Sequence, residues 1–159
     1  MINHNIQRQI ANLVQRAPWL VYAARRVWRF RQTKFTAGAV GVVFNPAGEI
    51  LLVEHVFHPN YPWGLPGGWV DYNENPAQTV QRELREELEL TVQVGPLLLF
   101  EVAFGSHFDL AYLCETTDQV GQLSRELLNY RWTAPGDLPQ LHGFHYHAVQ
   151  AGLARRVHA

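Results

Sequence analysis

The chain predicts an α/β domain, a mixed sheet between helices, preceded by a basic helical arm. Three observations carry this. Strand-like runs are interleaved with one acidic helix and one C-terminal helix, the pattern of a layered α/β domain. Proline and glycine clusters separate those runs. The first 34 residues also differ in charge from all that follows, with seven of the thirteen Lys and Arg residues and no acid, which leaves residues 35–159 with six bases against fourteen acids. At 159 residues, 47% hydrophobic and 17% charged, the chain suits a globular protein able to bury about 70% of its unfolded surface.

The arm, residues 1–34, comes first. Ile6, Ile10, Leu13, Ala17, Leu20, Ala24 and Val27 recur at helical spacing, and Pro18 starts a second helix rather than interrupting one. Three partners fit such a cationic, amphipathic arm. It can pack on its own acidic domain or on a second copy of the chain in a homodimer. Trp19, Tyr22, Trp28 and Phe30 among arginines suit the surface of an anionic membrane. Phosphate neutralisation would serve contact with RNA. The apolar run 18–24 is too short to span a bilayer, and the Arg-rich stretch behind it argues against a cleaved signal peptide.

Residues 36–44 and 50–57 read as two strands of a hairpin around Asn45-Pro46-Ala47-Gly48, a turn with its proline and glycine in suitable places. A loop, residues 58–75, is punctuated by Pro59, Pro62 and Pro66 and shows little strand alternation. Residues 97–104, 108–114 and 127–132 are further strands, and a last helix is expected over about 140–154. The lone Cys114 lies in the second of these runs. It excludes an internal disulfide and a cysteine-rich zinc site, and fits a reducing cytoplasm, with peripheral membrane attachment as one option for the arm.

Between the loop and the later strands lies the most informative segment, residues 68–90. Asn75, Pro76 and Gln78 are an N-cap, a proline at the first helical position and a capping-box partner, so a helix should run from Pro76 to about Leu88. At ~100° per residue, Ala77, Val80, Leu84 and Leu88 form one stripe and Glu83, Glu86 and Glu87 a neighbouring acidic arc. Like charges so placed repel by roughly 0.2–0.5 kcal/mol per pair and ask for a cation. For an arbitrary charge run the bland alternative, a solvated helix with Arg82–Glu86 and Arg85–Glu89 pairs, would be preferred. The context reverses that preference: Leu65-Pro66-Gly67-Gly68 stands upstream, where two glycines let backbone approach a ligand or aim a carbonyl at a cation.

Gly68, five residues, Glu74, seven residues, then Arg82-Glu83-Leu84-Arg85-Glu86-Glu87 and Leu90 resemble the signature box of the Nudix hydrolases. Six positions of defined charge or glycine match, a coincidence on the order of 10⁻⁷ at ~7% usage each. The resemblance covers about residues 35–159 and implies the α/β/α sandwich of that family. It further implies hydrolysis of a nucleoside diphosphate linked to another moiety, with Mg²⁺ or Mn²⁺ as cofactor. Carried over by position, Glu83, Glu86 and Glu87 are the metal-ligating or base-forming carboxylates, with the Gly68 carbonyl as a further metal ligand. Arg82, counted with them as catalytic, and Glu74 would orient them. Hard oxygen donors on one helix suit Mg²⁺, which is held by few carboxylates plus substrate phosphates.

Two departures stand out. Glu89 replaces the box glycine at the helix end, where a left-handed residue is expected at a cost of roughly 1–2 kcal/mol. It is not a ligand position, so altered local stability is expected rather than lost chemistry. Asn73 replaces a glycine before Glu74, mildly, since asparagine tolerates positive φ.

Substrate contacts are expected from Trp63, Gly67, Gly68 and Tyr72; of the nearby aromatics Tyr61, Trp63, Trp69 and Tyr72, one could stack on a base. The general base is Glu83 or an acid from a later segment, among Glu101, Asp109, Glu115 and Glu126. Three histidines in HGFHYH, His142, His145 and His147, fit an amphipathic helix better than a zinc site. Residues 97–111 lack the proline of ADP-ribose hydrolases and the tyrosine of diadenosine polyphosphate hydrolases in this family, and no Walker-type loop is present. Two functions remain: a metal-dependent hydrolase of a nucleotide-derived diphosphate, and a catalytically silent nucleotide-binding or sensor module to which Glu89 is the only pointer.

Overall fold

The computed structural model describes residues 6, 8, 12, 14–32, 34–56 and 60–157. The chain divides into two compact units, Met1–Lys34 and Phe35–Ala159.

In the first unit, helix α1 spans Pro18–Arg31 and begins on its proline, which needs no N–H there. Arg29 and Arg31 occupy its last turn, where cations meet the free carbonyls favourably. Trp19, Tyr22, Trp28 and Phe30 are all exposed. Among the expected apolar positions of the arm, Ile10, Leu13 and the side chain of Leu20 lie outside the described residues. No helix among the described residues is long and apolar enough to cross a membrane.

The second unit is built on a seven-stranded mixed sheet: β1 Thr36–Phe44, β2 Ile50–His55, β3 Trp63–Gly64, β4 Gly67–Trp69, β5 Gln93–Val102, β6 His107–Glu115 and β7 Leu127–Thr133. The main path runs β3-β2-β1-β6-β5, with β7 on β2 and β4 on β1. Among the described strands only β1 and β6 are parallel, in register from Thr36↔His107 to Phe44↔Glu115. Helix α2, Pro76–Leu88, packs on β1 and β4, and α3, Gly143–Val157, on β1, β5 and β6.

Strand alternation splits the core into two layers. Val43, Leu51 and Val53 join Val80, Leu84 and Leu88 of α2, while Val42, Phe44, Ile50 and Leu52 join Phe144, Ala148 and Val149 of α3. Burial of both sheet faces explains why these strands read as continuous apolar runs. The architecture is the expected α/β/α sandwich. Cys114 is buried in the α2 layer, and burial pushes its thiol up to about 12.

Two expectations need correction. The hairpin of β1 and β2 is narrow: the strands meet at Phe44↔Ile50, and further along the same edge of β1 takes β4 instead, with Gly38↔Trp69, Ala39↔Gly68 and Val40↔Gly67. The 58–75 segment is therefore not loop throughout, since it supplies β3 and β4. Three residues are too few to show alternation, and tertiary pairing alone makes them a strand. Phe57 and His58 lie outside the described residues.

Candidate functional site

Helix α2 forms as its capping signals require. The Asn75 side chain accepts from the Ala77 N–H at 3.0 Å, the capping box with Gln78 is closed, and Pro76 opens the first turn. Val80, Leu84 and Leu88 are wholly buried in the stripe, joined by Thr79, with Ala77 half-buried. Glu89 is left-handed at φ 49°, ψ 34°, and Asn73 has φ 64°.

The glycine pair brings strand and acidic helix close together, and at Gly67 only glycine fits. Gly67 has φ 149°, and a Cβ there would collide with the Ala39 and Val40 backbone across the β1–β4 pairing. At Gly68 a Cβ would lie 2.5 Å from Glu83 Oε1. The missing side chain brings the acidic helix against the strand.

Arg82 organises the acids around it. Its Nε donates to Glu74 Oε1 at 2.9 Å and its Nη2 to Oε2 at 3.0 Å, a bidentate pair. Nη1 donates to Glu83 Oε1 at 2.8 Å and to Glu86 Oε2 at 3.3 Å, and Nη2 reaches the Trp69 carbonyl at 3.2 Å. Thr79 Oγ1 and the Asp71 N–H donate to Glu74 as well. These donors, Arg82 foremost, hold the Glu74 carboxyl down to about 2, and Glu74 in turn raises the Arg82 guanidinium.

Glu83 and Glu87 behave oppositely. Glu87 is 8% exposed, and burial, reinforced by the charges of Glu83 and Glu126, pushes it up to about 8. Glu83 is raised by burial too, with Arg82 working against the shift. Glu87 Oε2 is buried without a hydrogen-bond partner.

These groups line one cavity of about 790 Å³. Gly67, Gly68, Arg82, Glu83, Glu86 and Glu87 are brought together there as the box positions require. Of the later acids, Glu126 and Asp109 line it; Glu101 instead meets His147 at 3.1 Å, and Glu115 lies at a different surface cavity. Two expected substrate contacts are not brought in. Trp63 packs on the α3 layer with the Arg131 guanidinium 4.2 Å from its ring centroid, because strand alternation turns it away from the α2 side. Tyr72, in the turn before Glu74, is 91% exposed and lies outside this lining.

The aromatic wall comes instead from Trp69, 59% exposed, and Phe104, 80% exposed, both in contact with His107, whose ring centroid lies 4.7 Å from Trp69 and 5.6 Å from Phe104. Gly38 is the cross-strand partner of both Trp69 and Asp109, so a glycine floors the groove between them. His55 and His145 complete the lining, with His145 Nδ1 accepting the Leu65 N–H at 2.8 Å. That bond places the proton of a neutral imidazole on Nε2. His107, Phe104 and His145 were not foreseen as site residues. They converge only through sheet register and α3 docking, for which no local pattern exists. Of the three histidines of HGFHYH, His147 turns to Glu101, whereas His145, bonded to the Leu65 amide, and His142, in edge contact with Tyr61, keep an edge contact with one another at 6.4 Å between ring centroids.

The model of the NUDIX domain matches residues 34–151. The chain belongs to the Nudix family. It carries the fold and the acidic box of a Nudix pyrophosphohydrolase. A MutT-like protein of Streptomyces ambofaciens is 26% identical over 106 residues, 66% of this chain and 68% of the relative. Among solved structures, an ADP-ribose pyrophosphatase of Streptococcus suis superposes with a TM-score of 0.65 at 22% identity, covering 77% of this chain and 92% of its own, a likeness of fold. The Ap4A hydrolase of C. elegans, solved as a binary complex, has a TM-score of 0.65 at 25% identity over 78% of this chain and 99% of its own.

The donor set suits a hard divalent cation. It is all oxygen, crowded with like charge, and includes the orphaned Glu87 Oε2. Among the described residues no three His, Cys, Asp or Glu groups stand close enough to hold an ion as they are placed. Arg82 draws the Glu83 and Glu86 carboxylates to itself.

Proposed function

We propose that the chain hydrolyses the diphosphate linkage of a nucleoside diphosphate joined to another moiety, by attack of water on phosphorus, with Mg²⁺ or Mn²⁺ as the working ion. The observation that carries this reading is Glu87, a buried carboxylate with an unpartnered oxygen facing Glu83 and Glu126 in a cavity walled by exposed aromatics. A buried carboxylate without a partner costs several kcal/mol unless a cation or proton meets it. Burial and its acidic neighbours keep this carboxyl protonated, and a divalent cation in the cavity would take the place of that proton.

Glu83, Glu86 and Glu87, with the Gly68 carbonyl, would hold the ion. When bound, it neutralises the diphosphate and makes an attacking water more acidic. Arg82 fixes Glu83 and Glu86 through its bond to Glu74, and Glu83 or Glu126 takes the proton of that water. Trp69 and Phe104 offer flat apolar faces to the nucleoside, in place of Trp63 and Tyr72. The names of the S. suis and C. elegans relatives, which act on ADP-ribose and Ap4A, support the same substrate class. Glu89, the pointer to a silent module, lies outside the cavity lining with its carboxylate bonded elsewhere.

The test is a panel of ADP-ribose, nucleotide sugars, dinucleoside polyphosphates, nucleoside triphosphates and capped RNA, each with Mg²⁺ and with Mn²⁺, in ¹⁸O-water. We expect turnover of at least one diphosphate with ¹⁸O in a phosphoryl product, abolished in Glu87→Gln. Ligand binding without product under either ion would leave the sensor as the function.

A further inference from the structure

Glu89 occupies the position where the box carries glycine, in a left-handed conformation that glycine adopts freely. Its side chain is engaged. Glu89 Oε2 accepts the Gln122 N–H at 3.1 Å, and the flanking residues do the same with their carbonyls: Leu88 O takes the Gly121 N–H and Glu87 O the Ser124 N–H, each at 2.9 Å. Three consecutive residues at the end of α2 thus lace down the 121–124 segment. Gly121 is the counterpart of the substitution. A Cβ there would stand 2.6 Å from Glu89 Oε2 and 2.8 Å from Glu89 Cβ, so the side chain at 89 fits only because 121 has none. The segment then passes directly to the cavity. Ser124 Oγ accepts the Glu126 N–H at 3.3 Å, the Glu126 carbonyl accepts from Val56 at 3.1 Å, and Glu126 lines the site beside Glu83 and Glu87.

We propose that Glu89 is a positioning residue: its carboxylate clamps the 121–124 segment to the end of the acidic helix and so delivers Glu126 to the carboxylates that hold the cation. This rests on the hydrolase reading for its consequence in turnover, though not for its geometry. The same helix would then carry one set of acids and hold the strap that brings another.

The experiment uses the full chain and its Glu89→Gly, Glu89→Gln, Glu126→Gln, Gly121→Ala, Glu89→Gly/Glu126→Gln and Glu89→Gly/Gly121→Ala variants. Amide exchange follows Gln122 and Ser124, Mn²⁺ binding is measured by EPR, and kcat and KM are measured on the best substrate of the panel. Glu89→Gly should speed exchange at both amides, weaken Mn²⁺ binding and lower kcat by about tenfold with KM nearly constant, as lost support of a ligand does. In the Glu126→Gln background, Glu89→Gly should then cost nothing more in turnover or Mn²⁺ binding. Glu89→Gln keeps an acceptor oxygen and should restore most of each. Gly121→Ala should loosen the segment in the wild type and be tolerated once Glu89 is glycine.

Wild-type Mn²⁺ affinity and kcat in Glu89→Gly, or losses that add to those of Glu126→Gln, would overturn the proposal. A wild-type chain inert on every diphosphate would overturn the hydrolase reading alone. The Mn²⁺ and exchange cycles would still decide this one.

Discussion

Glu87→Gln in the metal-free chain separates the charge of this carboxylate from its shape. In the folded protein Glu87 is raised from 4.5 to about 8, chiefly by burial, so folding favours its protonated form. A raised pKa contributes stability that is complete below about 4.5 and is lost as the pH climbs through about 8. At 1.36 kcal/mol per unit, the loss between about pH 5 and about pH 7.5 is on the order of 3 kcal/mol. Glutamine has no proton to lose, so the variant escapes that part of the decline. Urea unfolding in EDTA at both pH values gives the difference, because the two proteins differ only in this carboxylate and in the effect of its charge on Glu83 and Glu126. The variant should match the wild type near pH 5 and exceed it near pH 7.5. Mg²⁺ added at the higher pH should then raise the wild-type midpoint more than that of Glu87→Gln. Parallel profiles across the window would refute the burial argument and, with it, the claim that this carboxylate waits for a cation.

Arg82→Lys loses the two-pronged bond to Glu74 and should lower kcat by about 10- to 100-fold, a cost of removing outer support from ligands; unchanged turnover would show that Glu83 and Glu86 need no such anchor. Gly67→Ala must put a Cβ into the Ala39 backbone at positive φ, so its melting temperature should drop well beyond the roughly 1–3 kcal/mol of backbone strain alone; an unchanged midpoint would mean that β4 can slide. Deleting residues 1–34 should reduce stability or solubility, since Ile6, Ile10, Leu13 and Val27 offer more apolar surface than an electrostatic tether needs. A soluble, monodisperse truncation of full activity would reject that, and loss only of salt-sensitive binding to anionic vesicles or RNA would favour a localising arm.

What could be read from the sequence was what local chemistry specifies. Capping residues, helical periodicity and charge spacing lie within a few positions of one another, so α2, its acidic arc and the left-handed Glu89 were all legible. The turn at Asn45–Gly48 was legible for the same reason. Strand β4 was not, because its partner is thirty residues away and its own pattern is three residues long. Trp69 and Asp109 face each other across Gly38 only through register, and His145 reaches the site from a helix whose amphipathic pattern predicts core rather than cavity. Glu126 could not be told from Glu101, Asp109 and Glu115 because its placement depends on the segment laced to α2.

The fit between Glu89 and Gly121 makes the residue types at these two positions depend on one another. A glycine at 121 facing a glycine at 89 leaves only unused space, whereas a glutamate at 89 facing any side chain at 121 collides at its own Cβ. In this backbone a glutamate at the helix end is therefore accommodated only opposite a glycine at 121. Lineages that share this glutamate should share that glycine, while those that keep the box glycine should vary freely opposite it.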